Sequence, residues 1–207
     1  MQLAHVRRIA FAAALLTLSV SAALAAEPPP SPKARIDAIY GHIKAASDTA
    51  ATQEALTTSV TAELDTFINY EAFSARTLKI SWATLTPAQK ATFIDRFKRL
   101  VIRTYAKKFK PQSEFAVEYR GDIAFSNADK TDATVKTTVR GKKDVAADVD
   151  YLLGYVDVAG TKSWRAYDII VDEVSMALNW RQQFEKIIQK EGFDALIGKI
   201  NKKVDAP

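Results

Sequence analysis

VDYLLGYVDVAGTKSWRAYDIIV, residues 149–171, decides the fold. Val149, Tyr151, Leu153 and Tyr155 take every second position, against Asp148, Asp150, Leu152 and Gly154. A period of two marks a strand that buries one face. Ala159-Gly160-Thr161 then turns the chain, and Trp164 to Val171 supplies the last strand, so the stretch is a hairpin. Upstream, Phe115, Val117 and Tyr119 alternate, as do Val135, Thr137 and Val139. No helical stretch separates these runs, which implies an antiparallel meander.

Helical spacing flanks the strands on both sides. Ile36, Ile39, Tyr40 and Ile43 form one apolar face, and Leu56, Val60, Leu64, Phe67 and Ile68 another. The polar SDTAATQE between them reads as a turn with a new helix start. Thr86-Pro87-Ala88-Gln89 opens a third helix, with Thr as cap, Pro in the first turn and Gln reaching back to the cap amide. After the strands, Met176, Trp180, Phe184, Ile187 and Ile188 share a face, and Gly192 divides that helix from a short final one. The expected fold class is α+β, a curved antiparallel sheet of four to five strands with helices packed on one side, enclosing an apolar cavity.

The ends of the chain bear on where it works. His5, Arg7 and Arg8 precede the uncharged IAFAAALLTLSVSAAL, and Ala23-Leu24-Ala25 has the small-x-small form of a cleavage site. Residues 1–25 are read as a signal peptide and 26–207 as one soluble, exported domain. Losing Arg7 and Arg8 takes the formal charge from +5 to +3. The absence of cysteine excludes disulfides, thiolate metal sites and thiol nucleophiles, and one histidine, His42, remains outside the leader. No phosphate loop, paired-histidine motif or nucleophile elbow is present, so no catalytic residue, metal or cofactor is expected. Asp148 and Asp150 read as an outer, solvated face. Asp168 is the one candidate acid or base, although pairing with an arginine or capping a turn suits it better.

Residues 95–110 hold seven Lys or Arg against one Asp, a density that in another setting would mean nucleic acid. Export and the modest net charge argue against it. Arg96, Arg99, Arg103, Lys107 and Lys110 follow at steps of three and four and form one stripe, a solvated surface or a dock for an acidic partner or anionic head groups.

The order of motifs from Phe67 and Trp82 through LTPAQKATFIDRF, VDYLLGYV with Tyr151, WRAYDIIVDEVS and NWRQQFEKIIQKEGFDALIGKI resembles the MlaC family of periplasmic phospholipid-binding proteins, also called toluene-tolerance proteins. In the last motif the family's arginine, phenylalanine and glycine correspond to Arg181, Phe184 and Gly192. The resemblance implies a periplasmic carrier, not an enzyme. It would shuttle phospholipid between an inner-membrane ABC transporter with an MCE-type ring and an outer-membrane lipoprotein complex. Lys79-Ile80-Ser81, Glu173 and Trp180 depart from the family pattern and leave the lipid open, a hopanoid or other polycyclic lipid being the alternative within the family. From outside the family, the alternative is a small-molecule enzyme on a cone-shaped α+β fold, using Asp168.

Alternation and helical face give the expected cavity wall. Val149, Tyr151, Leu153, Ile169 and Val171 come from the strands. Phe93, Phe97, Leu100, Tyr105, Trp180 and Phe184 come from the helices. Arg96, Arg99, Arg103 and Lys107 are the expected docking residues.

Overall fold

The computed structural model describes residues 29–142 and 145–205, so the expected signal peptide lies outside the described residues. Among the described residues six α-helices, two short 3-10 turns and six strands follow the order expected, with two-residue β2 and β6 taking the sheet past the four to five strands expected. Helix α1 (Pro32–Thr49), α2 (Gln53–Phe67), α3 (Tyr70–Thr77) and α4 (Pro87–Tyr105) precede the sheet. Strands β1 (Phe115–Tyr119), β2 (Ala124–Phe125), β3 (Asp132–Gly141), β4 (Ala146–Val158), β5 (Thr161–Val171) and β6 (Val174–Ser175) come next. Helices α5 (Met176–Glu191) and α6 (Phe193–Asp205) complete the described chain.

The sheet is antiparallel throughout, in the order β1-β3-β4-β5-β6, with β2 paired to the first part of β3. Two pairings rest on strands of only two residues, β2 and β6. The long hairpin β4–β5 is the quoted stretch, and it contains a β-bulge. Leu152 opposes Asp168 and Leu153 opposes Ala166, which leaves Tyr167 without an opposite number. Strict alternation would turn Asp168 and Ile169 to opposite faces. With the extra residue, both reach the helix side, where Asp168 meets α3 and α5 and Ile169 meets α1 and α2.

The caps follow from local chemistry. Thr86 accepts from the Gln89 amide, and the Gln89 side chain accepts from the Thr86 amide, so two otherwise orphaned donors are satisfied at the start of α4. Ser175 caps α5 by accepting from the Leu178 amide. Phe73, Phe93, Phe97 and Phe184 form the densest part of the core. Phe93 stacks on Phe97 at 5.3 Å, and Phe97 meets Phe73 edge-on at 5.2 Å. Trp180 stacks on Phe184 at 5.2 Å. This cluster locks α3, α4 and α5 together and leaves α1 to cover a different part of the sheet.

On the outer face Arg120 holds two of the three acidic residues of β4. Its Nη1 lies 3.2 Å from Asp148 and its Nη2 2.5 Å from Asp150. These carboxylates are thus tied to a single arginine. His42 is exposed and sits 3.1 Å from Glu63.

Candidate functional site

Between α1 and the β4–β5 end of the sheet lies a cavity of about 430 Å³. Ile36, Ile39, Tyr40 and Ile43 of α1 form one wall, and Val149, Tyr151, Ile169 and Val171 of the sheet form the wall opposite. Leu64, Phe67 and Ile68 close one side, and Val101, Tyr105 and Phe109 another. Its exposed lining residues, Lys108, Val174 and Asn179, mark the mouth. An apolar enclosure of this size, with little polar lining, is the usual form of a small-molecule site.

Polar bonds along one flank hold the α1 wall in place. Tyr40 and Tyr151 share a hydrogen bond of 2.5 Å between their hydroxyls, which joins α1 to β4. Burial pushes the Tyr151 phenol well above its ordinary range and raises Tyr40 as well. Further along, Tyr119 donates to Asp37 at 2.5 Å, and the Ser47 hydroxyl donates to the Lys110 carbonyl at 2.8 Å. At the other end of α1, Arg35 donates to the Thr66 carbonyl at 2.8 Å.

Five of the eleven residues expected in the wall line this cavity: Tyr105, Val149, Tyr151, Ile169 and Val171. Leu153 is fully buried further along β4, outside the lining. Phe93, Phe97 and Trp180 belong to the aromatic core described above. Leu100 and Phe184 border a second, smaller cavity of about 290 Å³ between α4, α5 and α6. The correction has a physical reason. Helical periodicity shows which face is buried, but it does not distinguish a face filled by neighbouring side chains from one that borders space. The α1 residues of the lining stand outside the expected wall. Their repeat at 36, 39, 40 and 43 was visible, yet nothing local says that this helix lies over the sheet.

Asp168 is fully buried, and each of its oxygens accepts two hydrogen bonds from the fold. It accepts from Arg76 Nε at 2.8 Å, from the Ser175 hydroxyl at 2.6 Å and from the Ala177 amide at 3.1 Å. Its own strand contributes the Ile169 amide at 2.9 Å. An acid or base for a substrate needs a free lone pair facing the cavity, and these four bonds leave little of either oxygen available. Glu185 is similarly committed, accepting from the Ile80 and Ser81 amides and the Ser81 hydroxyl. Among the described residues no group of three or more His, Cys, Asp or Glu side chains could hold a metal ion.

The expected basic stripe outruns its helix: Arg96, Arg99 and Arg103 lie on α4, which ends at Tyr105, whereas Lys107 falls in a short 3-10 turn (Ala106–Lys108) and Lys110 in the loop beyond. Arg99, Lys107 and Lys110 are exposed, and Arg96 lies 3.6 Å from Asp95. Arg103 is half-buried and donates through Nη1 to the Val204 carbonyl at 3.2 Å, tying α4 to the end of α6. A cation at the C-terminus of α6 also complements that helix's dipole.

The phospholipid-binding protein from Ralstonia solanacearum, solved in complex with a phospholipid, superposes with a TM-score of 0.71 at 20% identity. The match covers 84% of this chain and 97% of that one. Among curated proteins none matches. The family model described as MlaC protein matches residues 33–202, from the first turn of α1 nearly to the end of α6, and the chain belongs to the MlaC family.

Proposed function

We propose that this protein is a periplasmic lipid carrier that takes phospholipid acyl chains into the cavity beneath α1 and ferries them between the inner and outer membranes. The observation that carries this reading is the cavity itself. A methylene occupies about the room of one water molecule in the liquid, ~30 Å³, so 430 Å³ accommodates about fourteen methylenes, one acyl chain of ordinary length. At about 0.8 kcal/mol for each buried methylene, such a chain is held by roughly 11 kcal/mol relative to water. That is close to what the same chain gains in a bilayer, so exchange between membrane and protein is nearly balanced. Direction must then come from partners. An inner-membrane ABC transporter with an MCE-type ring and an outer-membrane lipoprotein complex are the partners this reading requires. Arg99 on α4 and Lys107 just past its end, with Arg96 and Arg103 beside them, offer an acidic partner a complementary surface.

The test is direct. Organic extract of protein purified from its native host should contain phospholipid in near-stoichiometric amount by mass spectrometry. Val171→Glu should lose most of that lipid while retaining its circular dichroism spectrum. A full lipid load in this variant would place the chains elsewhere. Reversing Arg99 and Lys107 to Glu should weaken partner binding and leave lipid loading unchanged. Equal loss of both would remove the docking role.

A further inference from the structure

One exposed cation on the cavity lining, Lys108, and one exposed carboxylate beside the lining residue Val174, Glu173, have no ion-pair partner among the described residues. Lys108 is the one charged side chain on the lining. It lies 5.5 Å from the Tyr105 ring, and among the described residues no carboxylate pairs with it or with its neighbours Lys107 and Lys110. The lip formed by the β5–β6 turn is acidic. Asp172 and Glu173 immediately precede Val174, which lines the mouth. The Asp172 carboxylate is engaged by the Asp148 amide at 3.0 Å, whereas Glu173 is exposed and has no ion-pair partner among the described residues.

The backbone adds an independent observation. Asp172 and Glu173 both adopt left-handed conformations, with φ of 47° and 66°. This conformation strains every residue but glycine, with Asn and Asp tolerating it best. Glutamate is not among the residues that tolerate it well, so Glu173 sits on this turn at a cost in backbone strain. The start of α5 does not compete for an anion. Its Ala177 amide is taken by Asp168 and its Leu178 amide by Ser175. An anion at the mouth therefore looks to Lys108, with the exposed amide of Asn179 as a second donor.

We propose that the mouth selects a zwitterionic lipid head group, Lys108 meeting the phosphate and Glu173 the ammonium. This inference rests on the reading of the cavity as an acyl-chain site. It goes further by naming the head-group class. A net-anionic lipid keeps the contact to Lys108 but confronts Glu173 with its remaining hydroxyls and no cation. An uncharged diacylglycerol loses both contacts.

The experiment uses the lipid-stripped mature protein and three dipalmitoyl probes in competition, phosphatidylethanolamine, phosphatidylglycerol and diacylglycerol, with bound lipid read by mass spectrometry. Wild type should favour phosphatidylethanolamine over phosphatidylglycerol by about fivefold, the scale of one exposed ion pair, with diacylglycerol weakest. Raising the salt to about 1 M should bring the ratio towards one. Glu173→Lys should invert the preference, and the charge-swapped pair Lys108→Glu with Glu173→Lys should restore it. The neutral Glu173→Gln reports the same loss of preference should the reversal impair folding. A phosphatidylethanolamine to phosphatidylglycerol ratio identical in wild type, Glu173→Gln and Glu173→Lys, with total bound lipid unchanged, overturns the head-group assignment and leaves the carrier intact. If wild type binds none of the three probes, the carrier reading itself falls.

Discussion

Replacing Asp168 with alanine is the sharpest test of how the fold is held together. The carboxylate is fully buried and receives Arg76, Ser175, Ala177 and Ile169, so its loss strands an arginine, a hydroxyl and two amides at the junction of α3, β5 and α5. Removing one partner of a buried ion pair costs about 3–5 kcal/mol. The Arg76 side chain is 36% exposed and can recover part of its hydration, which places the expected loss near the lower end, about 3 kcal/mol. For a domain of this size that corresponds to a fall in Tm of roughly 6–12 °C. Asp168→Asn separates charge from hydrogen bonding. Its carbonyl oxygen can still serve the two amides, but its NH₂ group would face Arg76, donor against donor. A loss of about half the alanine value is expected. Removing both charges in Arg76→Met with Asp168→Leu should cost less than Asp168→Ala alone, because no uncompensated cation remains. Thermal and urea unfolding of the four proteins, with lipid content measured on the folded material, gives the answer. If Asp168→Ala stays within about 1 kcal/mol of wild type, the carboxylate is not the tie that its four bonds suggest. If Asp168→Asn folds normally but loses its lipid, its role lies in the cavity after all.

Stability should fall as pH rises above about 10. Burial raises the phenols of Tyr40 and Tyr151, and Tyr167 is pushed up to about 12, chiefly by burial and then by Asp132. The unfolded chain releases these protons near pH 10 while the folded chain keeps them, so the contribution is complete below that pH and is lost as pH climbs towards the folded values. Tyr151→Phe should flatten the alkaline limb of a pH series of urea melts; an unchanged slope would mean that this phenol does not contribute. Glu173→Gly should raise stability by up to about 1 kcal/mol by relieving the left-handed turn, while reducing the preference for phosphatidylethanolamine. A stabilised variant with its preference intact would separate the turn from the head group. Thr86→Ala removes one half of the capping box and should cost about 1 kcal/mol in a thermal melt.

Local chemistry was legible where a residue's neighbours in sequence are also its neighbours in space. The capping box at Thr86 and Gln89 needs only four consecutive residues, and the β4–β5 hairpin needs only its own alternation and the Ala159-Gly160 turn. Tertiary arrangement was legible only in part. Phe93 and Phe97 have the same apolar periodicity that a cavity wall would have, and what separates the two outcomes is Phe73, Trp180 and Phe184 arriving from other helices to fill the space. Ile36, Ile39 and Ile43 show the converse, a modest repeat whose partner strands lie more than a hundred residues away. The bulge at Tyr167 is not legible in the sequence, because alternation alone does not say where an extra residue enters a strand. Lys108 was passed over for a related reason. As one lysine among several it reads as solvated surface, and only the packing of α1 over the sheet makes its position the rim of a cavity.

The place of α1 also bears on how the protein folds. Its wall is the first helix in the described chain, and although α2 packs against it early in the sequence, its apolar face is covered on the sheet side only once β4 and β5 exist. The bond between Tyr40 and Tyr151 spans 111 residues. Closing so long a loop adds only logarithmically to the entropy cost, so native stability suffers little, but contacts of this range slow folding. Range alone therefore predicts that the cavity is enclosed late in folding, when the first helix of the described chain docks onto β4 and β5.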